Sequence, residues 1–158
     1  MKTLVIYGTK HGTAEKCCNL LKEKLQGEVA LVNIKKDKVP DINSFDNIII
    51  GGSIYMGQIQ KEIKSFCAKN LNLLKEKRIG LFICGMNDTD VVTPIKNSFP
   101  EGLLNKAAAK EYFGGEAILK NMNFLERFIM KKVGKMDKDV SKLSEENINK
   151  LAQLINKM

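Results

Sequence analysis

Short apolar runs alternate along this chain with longer stretches in which apolar residues recur every three or four positions. Leu4-Val5-Ile6-Tyr7 is continuous and predicts a strand; Ala14, Cys17, Cys18, Leu21 and Leu25 then fall at i, i+3, i+4, i+7 and i+11, predicting a helix stopped at Gly27. Val29 to Ile34 reads as a second strand, Pro40 marks a turn, and Ile48-Ile49-Ile50 before Gly51-Gly52 reads as a third, buried on both faces. Ile59, Ile63, Phe66, Cys67, Leu71 and Leu74 outline one amphipathic helix, and Ile79 to Cys84 a fourth strand ending at Gly85. Beyond it, Val91 to Phe99 predicts a helix broken near Pro94 and ended before Pro100, and Glu111 to Ile118 a fifth strand in spite of Gly114-Gly115. The last helix starts at the N-cap Ser144, with Leu143 and Ile148 as a hydrophobic staple and Ile148, Leu151, Ala152, Ile155 and Met158 on one face.

Five short strands alternating with helices predict an α/β fold, a doubly wound parallel sheet covered on both faces. The 158 residues read as one domain, without internal repeat, low-complexity tract or linker. In such sheets ligands bind beyond the carboxyl ends of the strands, which puts the loops 8–13, 51–58 and 85–90 on one edge.

Composition narrows the classes of function. No run approaches the roughly 18 to 20 apolar residues of a membrane helix, and Met1-Lys2 leads straight into a strand, so a cytoplasmic location is expected. The four cysteines, Cys17, Cys18, Cys67 and Cys84, have neither zinc spacing nor a C-x-x-C pair; they read as small buried hydrophobes in a reducing compartment, and one histidine cannot build a metal site. The net charge is +8, but its lysines are scattered singly or in pairs and not interleaved with aromatics, which gives no support for a nucleic-acid partner. Oligomeric state is not set by the sequence.

Gly8-Thr9-Lys10-His11-Gly12-Thr13 joins a strand to a helix, so backbone N–H groups, hydroxyls and the positive end of a helix dipole converge there, as a phosphate requires. It is neither a triphosphate P-loop nor a G-x-G-x-x-G dinucleotide loop, which favours a mononucleotide phosphate; Thr9 and Thr13 serving only as helix caps is the plainer alternative. In the second loop, Gly51-Gly52-Ser53-Ile54-Tyr55-Met56-Gly57-Gln58, Tyr and Met suit the face of a flat heteroaromatic ring, or else pack on the following helix. A phosphate-accepting signalling domain would need a carboxylate ending the third strand, where this chain has Gly51-Gly52; Asp46 lies at the other end.

The loops Gly8 to Glu15 and Gly51 to Gln58, together with Phe82-Ile83-Cys84-Gly85-Met86-Asn87, resemble the FMN-binding loops of flavodoxins, and the likeness in spacing covers essentially the whole chain. The resemblance implies the flavodoxin-like sheet order 2-1-3-4-5. It implies that Thr9, Lys10, His11, Gly12 and Thr13 hold the FMN phosphate, that Ser53 lies on the ribityl side and that Ile54 is among the cofactor-binding residues. Tyr55, Met56 and Gly57 would flank the ring, with Gly85, Met86 and Asn87 across it, and Gly57 would let its peptide turn when flavin N5 gains a proton. The chain departs from the family in having His11 where Thr is usual, Ala14 where a hydroxyl is common, no Trp, and a basic surface.

Asn123 with Glu126 three residues on predicts a helix start; Leu125, Phe128, Ile129 and Met136 mark one face, and Arg127, Lys131, Lys132 and Lys135 another. Such a helix over 121–136 either packs on the core or touches an anionic membrane surface. The run Phe124 to Lys131, with Gly52 to Gly57, also resembles the flavodoxin-type, quinone-dependent protoporphyrinogen oxidases. Two functions follow: an FMN electron carrier serving partner proteins, which needs no catalytic residue, and an FMN-dependent, quinone-linked oxidoreductase.

Overall fold

The computed structural model describes residues 1–117, 123, 125, 126, 128 and 140–157. Its first strands alternate with helices as the hydrophobic pattern requires: β1 (Lys2–Gly8), α1 (Thr13–Lys24), β2 (Glu28–Asn33) and β3 (Asn47–Ser53). Next come α2 (Lys61–Lys69), α3 (Leu71–Leu74), β4 (Arg78–Cys84), α4 (Val92–Ser98), α5 (Glu101–Lys106) and β5 (Ala109–Tyr112). A hairpin of β6 (Gly114–Ala117) and β7 (Val140–Leu143) then leads into α6 (Glu145–Asn156). The main sheet is parallel, in the order β2-β1-β3-β4-β5, which is the order the resemblance implies.

Alternation along the central strands divides the core in two. Leu4, Ile6, Ile48, Ile50, Ile79, Leu81 and Ile83 face α2, α3 and α5, while Val5, Tyr7, Ile49, Phe82 and Cys84 face α1 and α6. Both faces are covered, so these strands read as unbroken apolar runs and not as alternating ones. At the lower edge the buried Asn47 amide donates to Thr3 Oγ1 at 3.0 Å, which satisfies a polar pair inside an apolar sheet.

Four local expectations need correction. The helix foreseen over 59–74 is two pieces, because Asn70 closes α2: its backbone N–H and its side-chain Nδ2 both donate to Phe66 O, at 3.1 and 2.9 Å. Pro94 does not break α4. It lies in the first turn, where a helix has no use for the missing N–H. Pro100 ends α4 but also opens α5, an element the sequence pattern did not suggest. The fifth strand is Ala109–Tyr112, after which Gly114, at φ 79°, turns the chain into the hairpin. Its antiparallel register runs from Gly114 opposite Leu143 to Ala117 opposite Val140. An added Cβ on Gly114 would overlap the carbonyl oxygen of Lys142, and one on Gly115 that of Gly85, so the hairpin sits against the end of β4 only with glycine at both positions. The helix start at Ser144 is as expected, with Ser144 Oγ accepting from Asn147 N–H at 3.2 Å.

Most of the expected helix over 121–136 lies outside the described residues, as do Ile118 and Met158. Its start is described. Glu126 N–H donates to Asn123 Oδ1 at 2.8 Å and Asn123 N–H to Glu126 Oε1 at 3.2 Å, the reciprocal capping box read from the sequence.

All four cysteines are buried and unpaired, with Cys84 Sγ 3.7 Å from Cys17 Sγ. Burial pushes the Cys67 thiol up to about 12 and Cys18 well above its ordinary value, while the contact with Cys17 and then burial raise Cys84. A thiol-disulfide colour reagent is expected to find no rapidly reacting thiol in the folded protein and four in denaturant. A fast-reacting native thiol would contradict this packing.

Candidate functional site

The carboxyl ends of β1, β3 and β4 open into one cavity of about 310 Å³, lined among others by Lys10, His11, Thr13, Ser53, Tyr55, Met86 and Glu126. Each of its three loops has a backbone reason for its shape.

In the first, Thr9 Oγ1 accepts from Gly12 N–H at 2.9 Å, which curls residues 9–12 into a tight turn. Gly12 then takes φ 92° as the N-cap of α1, and no side chain caps this helix. Thr9 and Thr13 therefore do not act as caps, and the first-turn N–H groups of a 12-residue helix stay directed at the cavity end. Tyr7, just below, donates to Glu15 Oε1 at 2.9 Å; burial and then this bond hold its phenol well above the usual range.

The second loop turns on Met56 and Gly57, at φ 51° and 78°. Two consecutive left-handed residues, bracketed by Tyr55 N–H to Gln58 O at 2.9 Å and Gln58 N–H to Tyr55 O at 3.0 Å, make a tight two-residue turn. Methionine tolerates that conformation poorly, and this one is 84% exposed, so packing does not explain it. Ile54 N–H donates to Cys84 O at 2.7 Å and fastens this loop to β4. Behind it the Gln60 carboxamide lies over Gly8 and Gly52, where added Cβ atoms would collide with it, and donates to Ser53 O at 3.0 Å. Ser53 Oγ and Gln60 Oε1 are buried and have no hydrogen-bond partner among the described residues.

At the third loop, Tyr112 donates its hydroxyl to Gly85 O, and Gly85 N–H donates to Gly114 O at 2.9 Å. Gly85 and Met86 face the cavity. Asn87 does not: it is exposed, and its Oδ1 accepts from Thr89 N–H and Oγ1 at 3.1 and 2.6 Å.

Of the residues the sequence nominated, Lys10, His11, Thr13, Ser53, Ile54, Tyr55, Met56, Gly85 and Met86 share the cavity wall. Thr9, Gly12 and Gly57 shape the loops behind it. Sequence reasoning missed Gln60, Gly115, Glu116 and Glu126.

Glu126 matters most electrostatically. Its carboxylate is buried and lies 2.9 Å from His11 Nε2 and 3.6 Å from Lys10 Nζ. Burial pushes its carboxyl up, but the Asn123 N–H, His11 and Lys10 outweigh that and hold it below the usual carboxylate range. Lys10 Nζ also lies 3.4 Å from the centre of the Tyr55 ring, and the His11 ring meets Tyr55 edge-on at 6.4 Å. Glu116, on the same wall, is paired with Lys16 at 3.0 Å. The loop that sequence reading assigns to an anion thus already holds one, supplied by the chain itself, beside an aromatic ring.

Comparison with known proteins agrees with this architecture. Residues 4–144 match the family described as Flavodoxin domain. A flavodoxin of Streptococcus pneumoniae TIGR4 is 18% identical, covers 98% of this chain and 94% of its own, and superposes with a TM-score of 0.61. A Fusobacterium nucleatum flavodoxin bound to flavin mononucleotide is 15% identical over 99% of this chain and 97% of its own, with a TM-score of 0.58. The rubredoxin:oxygen oxidoreductase of Desulfovibrio gigas is 14% identical over 96% of this chain, with a TM-score of 0.54; this chain spans only 36% of that protein's length. Comparison with curated proteins gives no match. At these identities the structural likenesses concern the fold.

Proposed function

Because this chain belongs to the flavodoxin family, we propose that it is an FMN-binding redox protein that carries electrons between partner proteins. The observation that carries the reading is one cavity in which an anion-holding loop adjoins Tyr55 and Met56. The residues fit FMN at each end. The carboxylate of Glu126 on His11 and Lys10 stands in for a phosphate, and Ser53 Oγ is a buried hydroxyl that lacks a partner among the described residues on the side where the ribityl chain would run.

Bound FMN supplies one- and two-electron redox chemistry; the protein supplies position and electrostatics. Thr13, Lys10, His11 and the first-turn N–H groups of α1 hold the phosphate. Tyr55, Met56, Gly85 and Met86, all on the cavity wall, would hold the ring. Gly57 has no atom within 4 Å of where a Cβ would stand, so its peptide has room to turn. The net charge of +8 disfavours a negative reduced ring less than an acidic surround does, which raises its potential.

Titration with FMN, followed by quenching of flavin fluorescence, is expected to show a stoichiometric complex. A folded protein that stays colourless and leaves the fluorescence unchanged would overturn the reading.

A second reading, a quinone-linked oxidase of the protoporphyrinogen type, is favoured by one observation. Leu125 and Phe128, flanking the cavity residue Glu126, are 64% and 53% exposed and offer apolar surface of the kind a quinone or a lipid headgroup region would meet. Contact of residues 121–136 with a membrane belongs to this reading. No helix among the described residues is long and apolar enough to cross one. Steady oxidation of protoporphyrinogen with a menaquinone analogue, without a partner protein, would replace the carrier reading; its absence would retain it.

A further inference from the structure

Glu126 reaches the anion loop from 115 residues further along the chain. It is 92% buried there, and its backbone N–H and Oε1 are both engaged by Asn123, so the carboxylate is presented by a capped helix start and does not drift from the surface. Its Oε2 is the atom that takes both His11 Nε2 and Lys10 Nζ. The other carboxylate of this wall, Glu116, is turned to Lys16 on α1, which leaves Glu126 facing Lys10 and His11 of the loop. A phosphate that took the same nitrogens would stand within a few ångströms of a buried carboxylate, and like charges that close repel.

Resting on the FMN reading for the identity of the arriving group, we propose that Glu126 is an internal competitor of the cofactor phosphate: its carboxylate holds His11 and Lys10 until a phosphate displaces it. Two consequences follow. The affinity of the loop for any phosphate is held down, and loading the site is coupled to release of the residue 123–126 capping box from the cavity wall. Riboflavin has the ring but no phosphate, and so escapes the competition.

The test compares the wild-type protein with Glu126→Gln, which keeps the shape and the bond to Asn123 but removes the charge, at low ionic strength. Inorganic phosphate, titrated by calorimetry, is expected to bind the variant at least tenfold more tightly. FMN is expected to gain a similar factor while riboflavin changes by less than about threefold. In the wild-type protein, amide exchange at Glu126 is expected to accelerate when FMN is added. Equal or weaker phosphate binding by the variant overturns the proposal, as does unchanged exchange at Glu126 in an FMN-saturated wild-type protein. If neither flavin binds either protein, the FMN reading falls, and the phosphate titration alone decides the role of Glu126.

Discussion

Replacing Gly12 with valine is expected to weaken FMN binding by about tenfold or more. Nothing lies within 4 Å of an added Cβ at this position, so the penalty is not a collision. It comes from the backbone. At φ 92° a residue with a Cβ costs on the order of 1–2 kcal/mol, and a β-branched one lies at the upper end, having the least freedom to adapt. If the chain relaxes the strain by moving φ to negative values, the N-cap geometry is lost. The first-turn N–H groups of α1 and the Thr9 Oγ1 to Gly12 N–H bond then no longer aim at one point. Strain carried equally with and without FMN lowers the stability of the fold and leaves affinity unchanged; the predicted loss comes through the relaxed loop, which must be driven back at about 1–2 kcal/mol to hold the phosphate, and about 1.4 kcal/mol is a factor of ten. The check is flavin fluorescence quenching with Gly12→Val beside Lys106→Ala, an exposed position at the end of α5. Equal affinities in the two variants would show that the loop does not hold the phosphate.

The largest loss of stability is expected from Phe82→Ala. The Phe82 ring is fully buried on β4 and stacks on Phe113, with centroids 4.6 Å apart and planes 12° from parallel. It also occupies the place where any residue but glycine at 51 would put its Cβ, so β3 and β4 are fitted to each other around this ring. Truncation removes the buried area and leaves a cavity that a sheet fixed on both sides closes poorly, a cost of about 3–5 kcal/mol. Against a total of about 5–15 kcal/mol that is a large share of the fold's margin. Urea unfolding should show the midpoint falling with the slope unchanged. A loss below about 1 kcal/mol would mean that the face between β4, α1 and α6 refills the space.

Much of this was legible in the residues because two covered faces leave unmistakable apolar runs. Leu4 to Tyr7, Ile48 to Ile50 and Ile79 to Cys84 each became a central strand, and the loops that follow them converge because parallel strands share one carboxyl end. What escaped was set by contacts that periodicity does not encode. Asn70 fits a helix pattern, yet its side chain ends α2 by bonding Phe66 O. Gly114-Gly115 read as a weakness in a strand, whereas the glycines admit the close passage of a second chain segment past Lys142 and Gly85. Glu126 was legible as a capping partner of Asn123, but its arrival at His11 depends on a hairpin that brings the chain back across the sheet edge. Gln60 gave no signal, since one amide in a polar stretch looks like any other until Gly8 and Gly52 are seen beneath it.

The pairing of Ala117 with Val140 has an evolutionary consequence. These two positions end an antiparallel ladder that brings both ends of the intervening sequence to one place, with a register that does not depend on the length between. Chain can be inserted or deleted there at the small entropic cost of a longer loop, with β1 to β5 left undisturbed. The intervening sequence carries Glu126 to the cavity wall, so exchanging it would rewrite what the cavity admits while the scaffold beneath is inherited unaltered.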